Sequence, residues 1–314
     1  MTTADLGRPQ DPKDPFDAFM WAILEGYHDE GLRDGPRLSA YAGRLLAKAR
    51  KVELPAGATP REHAIALVDK VDQRPGIDPA VSLQWLIDAL VLWPDCAEAY
   101  MWVANIIEGR EHAPILMQPF YILAIEGLRR RLAAGASAHQ DAATEQALLV
   151  RALKGLGEAL ATTGLASEAV GRYIEALQLD PGDAEDIRPR LAIALMVTGE
   201  TESAESALVP AAETPLQLFA KAAVSYAKTE GTGEARHALI AARRANPYVT
   251  PFLTGQKKMS GMLTGKAAVD EAQYICLALA PAVSGVPGFA AWLRREAAPP
   301  VVARGKAGKQ HKKR

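Results

Sequence analysis

Apolar residues recur at helical spacing along most of this chain. Phe16, Phe19, Met20 and Ile23 mark one face of a first segment, from 16 to about 28. Leu38, Tyr41, Leu45 and Leu46 do so in a second, from about 37 to 52, and Ile65, Leu67, Val68 and Val71 in a third. Steps of three and four residues stack side chains on one face of an α-helix, so each segment predicts an amphipathic helix. Two starts are written in capping residues. Thr59-Pro60-Arg61-Glu62 has an N-cap hydroxyl, a proline at the first helical position and a glutamate three residues after the cap. Asp78-Pro79 opens the next helix in the same manner.

From 146 to 247 the pattern repeats. Leu153, Leu156 and Leu160, with Gly157 beside them, form a first helix; a turn follows at Gly164; Ala169, Tyr173 and Ala176 form a second, and Pro181 ends the unit. Small residues at 157, 169 and 176 let two helices approach closely while leucine and tyrosine fill the gaps. The pattern recurs at a spacing of 35, Gly164 to Gly199 and Ala169 to Ala204, one more than the simplest period of 34; the extra residue is expected near Pro189, which cannot sit deep in a helix. Phe219, Ala222, Ala223 and Tyr226, then Ala235, Leu239, Ala242 and Pro247, make a looser unit. Ser82, Leu86, Ala89 and Pro94 carry the same closing pattern earlier, and Tyr100, Val103, Ala104 and Ile107 open a unit after it. A longer helix, from about 114 to 134, and a small-residue linker interrupt the array.

These positions resemble the tetratricopeptide repeat family. A narrower resemblance, over about 80 to 295, is to the suppressor-of-tumorigenicity-7-like group of tetratricopeptide proteins. It is carried by PDCAEAY from Pro94, by the run from Tyr173 through DPGDAEDIR into LMVTGETESAESAL, and by ARHALIAARRANPYVTPFLTGQKKM. In the last of these Asn246, Pro247, Val249, Leu253 and Gly255 match, Thr250 interrupts, and Pro251 falls one residue late. The resemblance implies an all-α fold, an α-solenoid of helical hairpins, and a role in protein–protein interaction; it implies no catalytic residues. The expected layout is a disordered start (1–13), N-terminal helices (14–78), the repeat array (79–255), two capping helices (256–298) and a basic disordered tail (299–314). Repeat arrays need such a cap to cover the last apolar face.

Composition sharpens this in three places. Apolar residues make up 49% and aromatics only 6%, which suits packed Leu/Ala helices. The last eleven residues hold six positive charges (Arg304, Lys306, Lys309, Lys312, Lys313 and Arg314), so the net −1 of the chain becomes −7 without them: an acidic body with a basic tail. The tail suggests weak polyanion binding, and a nucleic-acid or anionic-surface binder is the alternative function. Cys96 and Cys276 lie far apart in apolar helical contexts, which points to buried thiols in a reducing compartment. No apolar run is long enough to span a bilayer, so no membrane insertion and a cytoplasmic location are expected.

Candidate chemistry is sparse. The six histidines (28, 63, 112, 139, 237 and 311) show no ligand spacing. Gly155-Leu156-Gly157 lacks the third glycine and preceding strand of a dinucleotide loop and reads as a packing point. Tyr27-His28-Asp29-Glu30, the densest polar cluster, reads as a solvated helix end. Neither a catalytic constellation nor a cofactor motif is legible, so a non-enzymatic scaffold with a protein or peptide partner is expected. Its groove would use first-helix residues that do not face the core: Met101, Asn105, Lys154, Glu158, Arg188 and Lys221. Glu158 stands where a clamp for a terminal carboxylate would need an amide, so capture of that kind is not expected. Trp93, Met101 and Trp102 read as packing before they read as an apolar anchor.

Deleting 304–314 should leave the melting temperature unchanged and abolish retention on heparin at low salt, because the segment has only Ala307 to give a core and six charges to give a polyanion. Equal retention of the truncated chain would show that the tail is not the polyanion element.

Overall fold

The computed structural model describes residues 2–7, 15–74, 77–108, 112–135, 142–209, 213–260 and 264–297. The expected linker core (136–141) and the basic tail lie outside them. Among the described residues there are fifteen helices and no strand, so the protein is all-α. In chain order these are α1 (Pro15–His28), α2 (Gly35–Leu46), α3 (Pro60–Asp72), α4 (Pro79–Leu92), α5 (Ala97–Ile107), α6 (Ala113–Ala133), α7 (Ala142–Thr162) and α8 (Ala166–Leu179). Then come α9 (Ile187–Val197), α10 (Thr201–Ala207), α11 (Pro215–Thr229), α12 (Gly233–Ala245), α13 (Val249–Leu253), α14 (Ala267–Gly285) and α15 (Phe289–Ala297). No helix among the described residues is long and apolar enough to cross a membrane.

Local chemistry sets the helix ends. The Thr59 hydroxyl accepts from the Glu62 amide at 3.2 Å while the Glu62 carboxylate accepts from the Thr59 amide at 2.9 Å, the reciprocal capping box its sequence announces. Asp34, Asp78 and Thr214 cap α2, α4 and α11 with their side chains, each followed by proline in the first turn. Helix α7 and helix α9 end alike: Gly164 and Gly199 take φ of 84° and 88°, and the next amide donates back to the carbonyl of Leu160 or Leu195. That left-handed position is costly for any residue with a Cβ, so glycine occupies both turns, 35 positions apart.

Two ends fall elsewhere than periodicity suggests. Helix α2 stops at Leu46, short of 52, where the chain turns into the polar run from Ala47 to Lys51 and has no further apolar face to bury. Helix α14, the first of the two expected capping helices, continues through Pro281 to Gly285, past the proline at which a helix would ordinarily stop. Pro189 occupies the first turn of α9, where its missing amide costs no helical bond; the Asp183 carboxylate caps the amides of Ile187 and Arg188 just ahead of it. Near the chain start, the amide and hydroxyl of Thr3 donate to Asp29, and Leu6 is buried.

Consecutive helices pack in pairs: α3 with α4, α5 with α6, α7 with α8, α9 with α10, α11 with α12. The pairs join through α4 on α5, α6 on α7, α8 on α9 and α9 on α11. Both Cys96 and Cys276 are buried free thiols. Helix α15 closes one end with an aromatic cluster in which Phe289 and Trp292 lie 5.3 and 4.9 Å from the Tyr226 ring. Helix α14 does not stay at that end; it runs back across α7, α9 and α11.

A buried charge cluster ties the early hairpins to α7. Arg131 of α6 donates to both Glu98 oxygens at 2.8 and 3.0 Å and to Glu145 at 2.6 and 3.0 Å. Its guanidinium and that of Arg61 lie over the Trp93 ring, 4.6 and 4.8 Å from its centre. Trp93, Met101 and Trp102 are all partly buried against the core.

At the α7–α8 crossing, a Cβ on Gly157 would lie 2.5 Å from the ring of Tyr173, which is 2% exposed. Gly157→Leu should therefore lower unfolding free energy by about 1–3 kcal/mol or more, since overpacking a close crossing forces backbone shifts. Urea denaturation measures it, and an unchanged midpoint would mean the crossing is not held closed by this contact.

Candidate functional site

Beneath α14 lies a cavity of about 360 Å³. Met117 of α6, Glu158 of α7, Arg190 and Ile193 of α9, and Tyr274 and Leu277 of α14 are among the residues that line it. Its position follows from how α14 is anchored. Asn246, 1% exposed, donates its side-chain amide to the Ala268 carbonyl at 2.9 Å and to Glu271 at 2.8 Å. The Cys276 thiol donates to the Val249 carbonyl. The Asn246–Val249 stretch singled out in the sequence thus fastens the start of α14, and the rest of that helix is laid over α9 and α7.

The polar part of the cavity is built around Arg190. Only 2% of this residue is exposed. Its Nε donates to Glu158 Oε1 at 2.5 Å and its Nη1 to the Asp186 carbonyl at 2.6 Å, while Nη2 is buried with no acceptor. The guanidinium carbon sits 4.8 Å from the centre of the Tyr274 ring. Burial opposes the charge on Arg190, yet Glu158 and Tyr274 outweigh it and raise its pKa. The Glu108 carboxyl, also on the lining, is pushed up by burial and by the charge of Glu158. Burial drives the Tyr173 hydroxyl well above the usual tyrosine range.

The six residues expected to form a groove are distributed as follows. Lys154 donates to Glu185 at 2.7 Å and to the Tyr274 hydroxyl at 3.3 Å; burial disfavours its charge, but Tyr274 and Glu185 more than compensate and raise its pKa. Glu158 pairs with Arg190 and lines the cavity. Arg188 turns to its own loop, towards Asp183 and the Pro181 carbonyl. Lys221 lies 3.7 Å from Glu213 at the surface. Met101 is partly buried and Asn105 exposed on α5. Lys154 and Glu158 are therefore brought to the Arg190–Tyr274 contact; Arg188, though on α9, faces its own loop, and Met101, Asn105 and Lys221 lie apart from it.

Sequence reading missed Arg190 and Tyr274. A signal for Arg190 was present: a charge leading directly into the apolar run LAIALMV, from Leu191 to Val197. Tyr274 offered none. At the Tyr27–Glu30 cluster, the Tyr27 hydroxyl donates to Gln118 at 3.1 Å. The His28 imidazole is packed edge-on against Tyr27, and burial pushes its pKa down to about 4. Tyr27 and His28 are thus covered, while Asp29 and Glu30, just past the helix end, are exposed.

Among the described residues no group of three or more His, Cys, Asp or Glu is placed to hold a metal ion. Compared with family models, curated proteins and solved structures, the chain matches none.

Removing the Glu158 carboxylate would leave a buried guanidinium with one bond fewer. Glu158→Ala should cost about 1–3 kcal/mol, and Glu158→Gln, which keeps an acceptor, distinctly less. Denaturant titration of both variants distinguishes them, and equal loss would mean that the hydrogen bond to Arg190 is not what Glu158 contributes.

Proposed function

We propose that this protein is a non-enzymatic scaffold, an α-solenoid of tetratricopeptide-like hairpins that binds a protein segment along the row of first helices. One observation carries the reading: α7, α9 and α11, the first helices of three consecutive hairpins, already hold another helix of the same chain across them. A surface that accepts an amphipathic helix in cis has the spacing and apolar character to accept a segment in trans. On α14 itself Tyr274 and Leu277 stand 40% and 52% exposed, and Glu108 and Glu158 lie next to them on the same cavity wall. Farther along, α5 presents Met101 and the exposed Asn105. Lys154 and Glu158 act mainly by holding the row together, through Glu185 and Arg190, while Arg188 is engaged by its own loop. The acidic body and basic tail favour a second reading, binding of a nucleic acid or anionic surface through the tail.

Panning a displayed peptide library against the full chain tests the first reading. Enriched peptides should lose binding at least about tenfold on Leu277→Asp or on Met101→Asp with Asn105→Arg, with helical content unchanged. If no peptide is enriched, or enriched peptides bind all variants equally, the row of first helices is not the binding surface. Binding that depends instead on 304–314 and collapses with salt would favour the tail.

A further inference from the structure

Charge along the chain changes sign at α12. Residues 1–230 hold 33 Asp and Glu against 22 Lys and Arg, whereas 231–297 hold eight Lys and Arg against four Asp and Glu. The positive excess therefore begins in the folded part of the molecule, well before the tail. Five arginines concentrate it. Arg236, Arg243 and Arg244 share one exposed face of α12, because steps of seven and eight residues are close to two helical turns. Arg294 and Arg295 stand exposed near the end of α15. Glu296 brings the two helices together: its carboxylate accepts from Arg236 Nε at 3.1 Å, and its carbonyl accepts from Arg243 Nη1 at 3.0 Å. One carboxylate among five guanidinium groups leaves a surplus of positive charge. Among the described residues neither Arg244 nor Arg294 pairs with an acid, whereas Arg236 and Arg295 share Glu296.

Such a face attracts phosphates, since a planar guanidinium meets them with paired donors. Its surroundings decide which phosphates fit. Asp270 and Glu271 lie at the start of α14, joined to the end of α12 by the hydrogen bond from Asn246 to Glu271. A flat anionic membrane pressed on the arginines would meet these carboxylates too. On α12 the face offers a membrane one large apolar side chain, Ile240, 45% exposed, which is too little to anchor a helix in the interface. A single strand needs free aromatic rings to stack on, and the Tyr248 ring just past α12 has the Lys257 ammonium over it, 5.3 Å from its centre. A duplex presents phosphates along a narrow ridge, and a strip of arginines about one helix wide suits it.

We propose that the α12–α15 end of the molecule binds the phosphate backbone of double-stranded nucleic acid without regard to base sequence. Arg244 and Arg294 contact phosphates, and the basic tail, which follows α15 in sequence, adds charge to the same interaction. Helix α12 is the second helix of its hairpin, so this surface is separate from the row of first helices, and the inference holds whether or not that row binds a protein. It differs from binding through the tail alone in that the folded surface is required.

The test follows the anisotropy of a labelled duplex of about 20 base pairs titrated with the full chain at about 50 mM salt and above. Arg244→Glu with Arg294→Glu, tail intact, should weaken binding at least about tenfold and lower the slope of log K against log salt by about two, one for each lost phosphate contact. Lys48→Glu with Lys51→Glu changes the net charge equally at exposed positions far from α12 in sequence, and should weaken binding less than about threefold. Unchanged binding by the arginine variant would leave the tail as the sole element and overturn the proposal. Equal loss in both double variants, or no duplex binding by the unaltered chain at about 10 μM, would overturn it as well. Tighter binding to vesicles of phosphatidylcholine and phosphatidylserine than to the duplex would overturn the choice of nucleic acid. Circular dichroism checks that the variants fold, and Arg244→Gln with Arg294→Gln gives the same comparison if the reversal disturbs folding.

Discussion

The ring of Tyr173 seated over Gly157 is the contact on which most of this structure depends. It sets how closely α7 and α8 approach, with Ala169 and Ala176 fully buried on the same face of α8. Helices at that distance leave room for no side chain but the intended one, and ridges of leucine interdigitate only because the notch is empty. The same ring lines the cavity, one residue along α7 from the position that carries Glu158. Packing and site are therefore not separable here: the side chain that closes the hairpin also shapes the wall next to the Glu158–Arg190 pair.

Charge is used inwardly to a degree that composition does not suggest. Arg131 of α6 with Glu98 of α5 and Glu145 of α7, Arg190 of α9 with Glu158 of α7, and Lys154 of α7 with Glu185 of the loop before α9 each join separate elements. Burying such groups is costly unless they are paired, and pairing them stabilises the folded arrangement less by net energy than by the penalty on any alternative packing that would leave one charge alone. Helix α14 is the element held most by this logic. Its Tyr274 lies against two cations, Arg190 and Lys154, and its start is tied by Asn246. A helix so held is a fitted part of the molecule.

What could be read from the sequence was whatever depends on residues a few positions apart. Apolar spacing, the Thr59 capping box, the glycine turns at 164 and 199 and the small residue at 157 all act through neighbours within one or two turns of helix, so an all-α chain was legible together with most of its helix starts. The end of α2 was less so, because stopping there depends on the lack of anything for Lys48 to Val52 to pack on. The pairing of side chains across the fold was not legible. Lys154 and Glu158 looked free because their partners lie on other elements: Glu185 and Arg190 some thirty residues on, and Tyr274 on a helix whose path across α7 and α9 no local pattern announces. Only the tertiary structure could decide that these charges face inward, because burial is a property of what covers a residue, and here the cover comes from α14, at the far end of the chain.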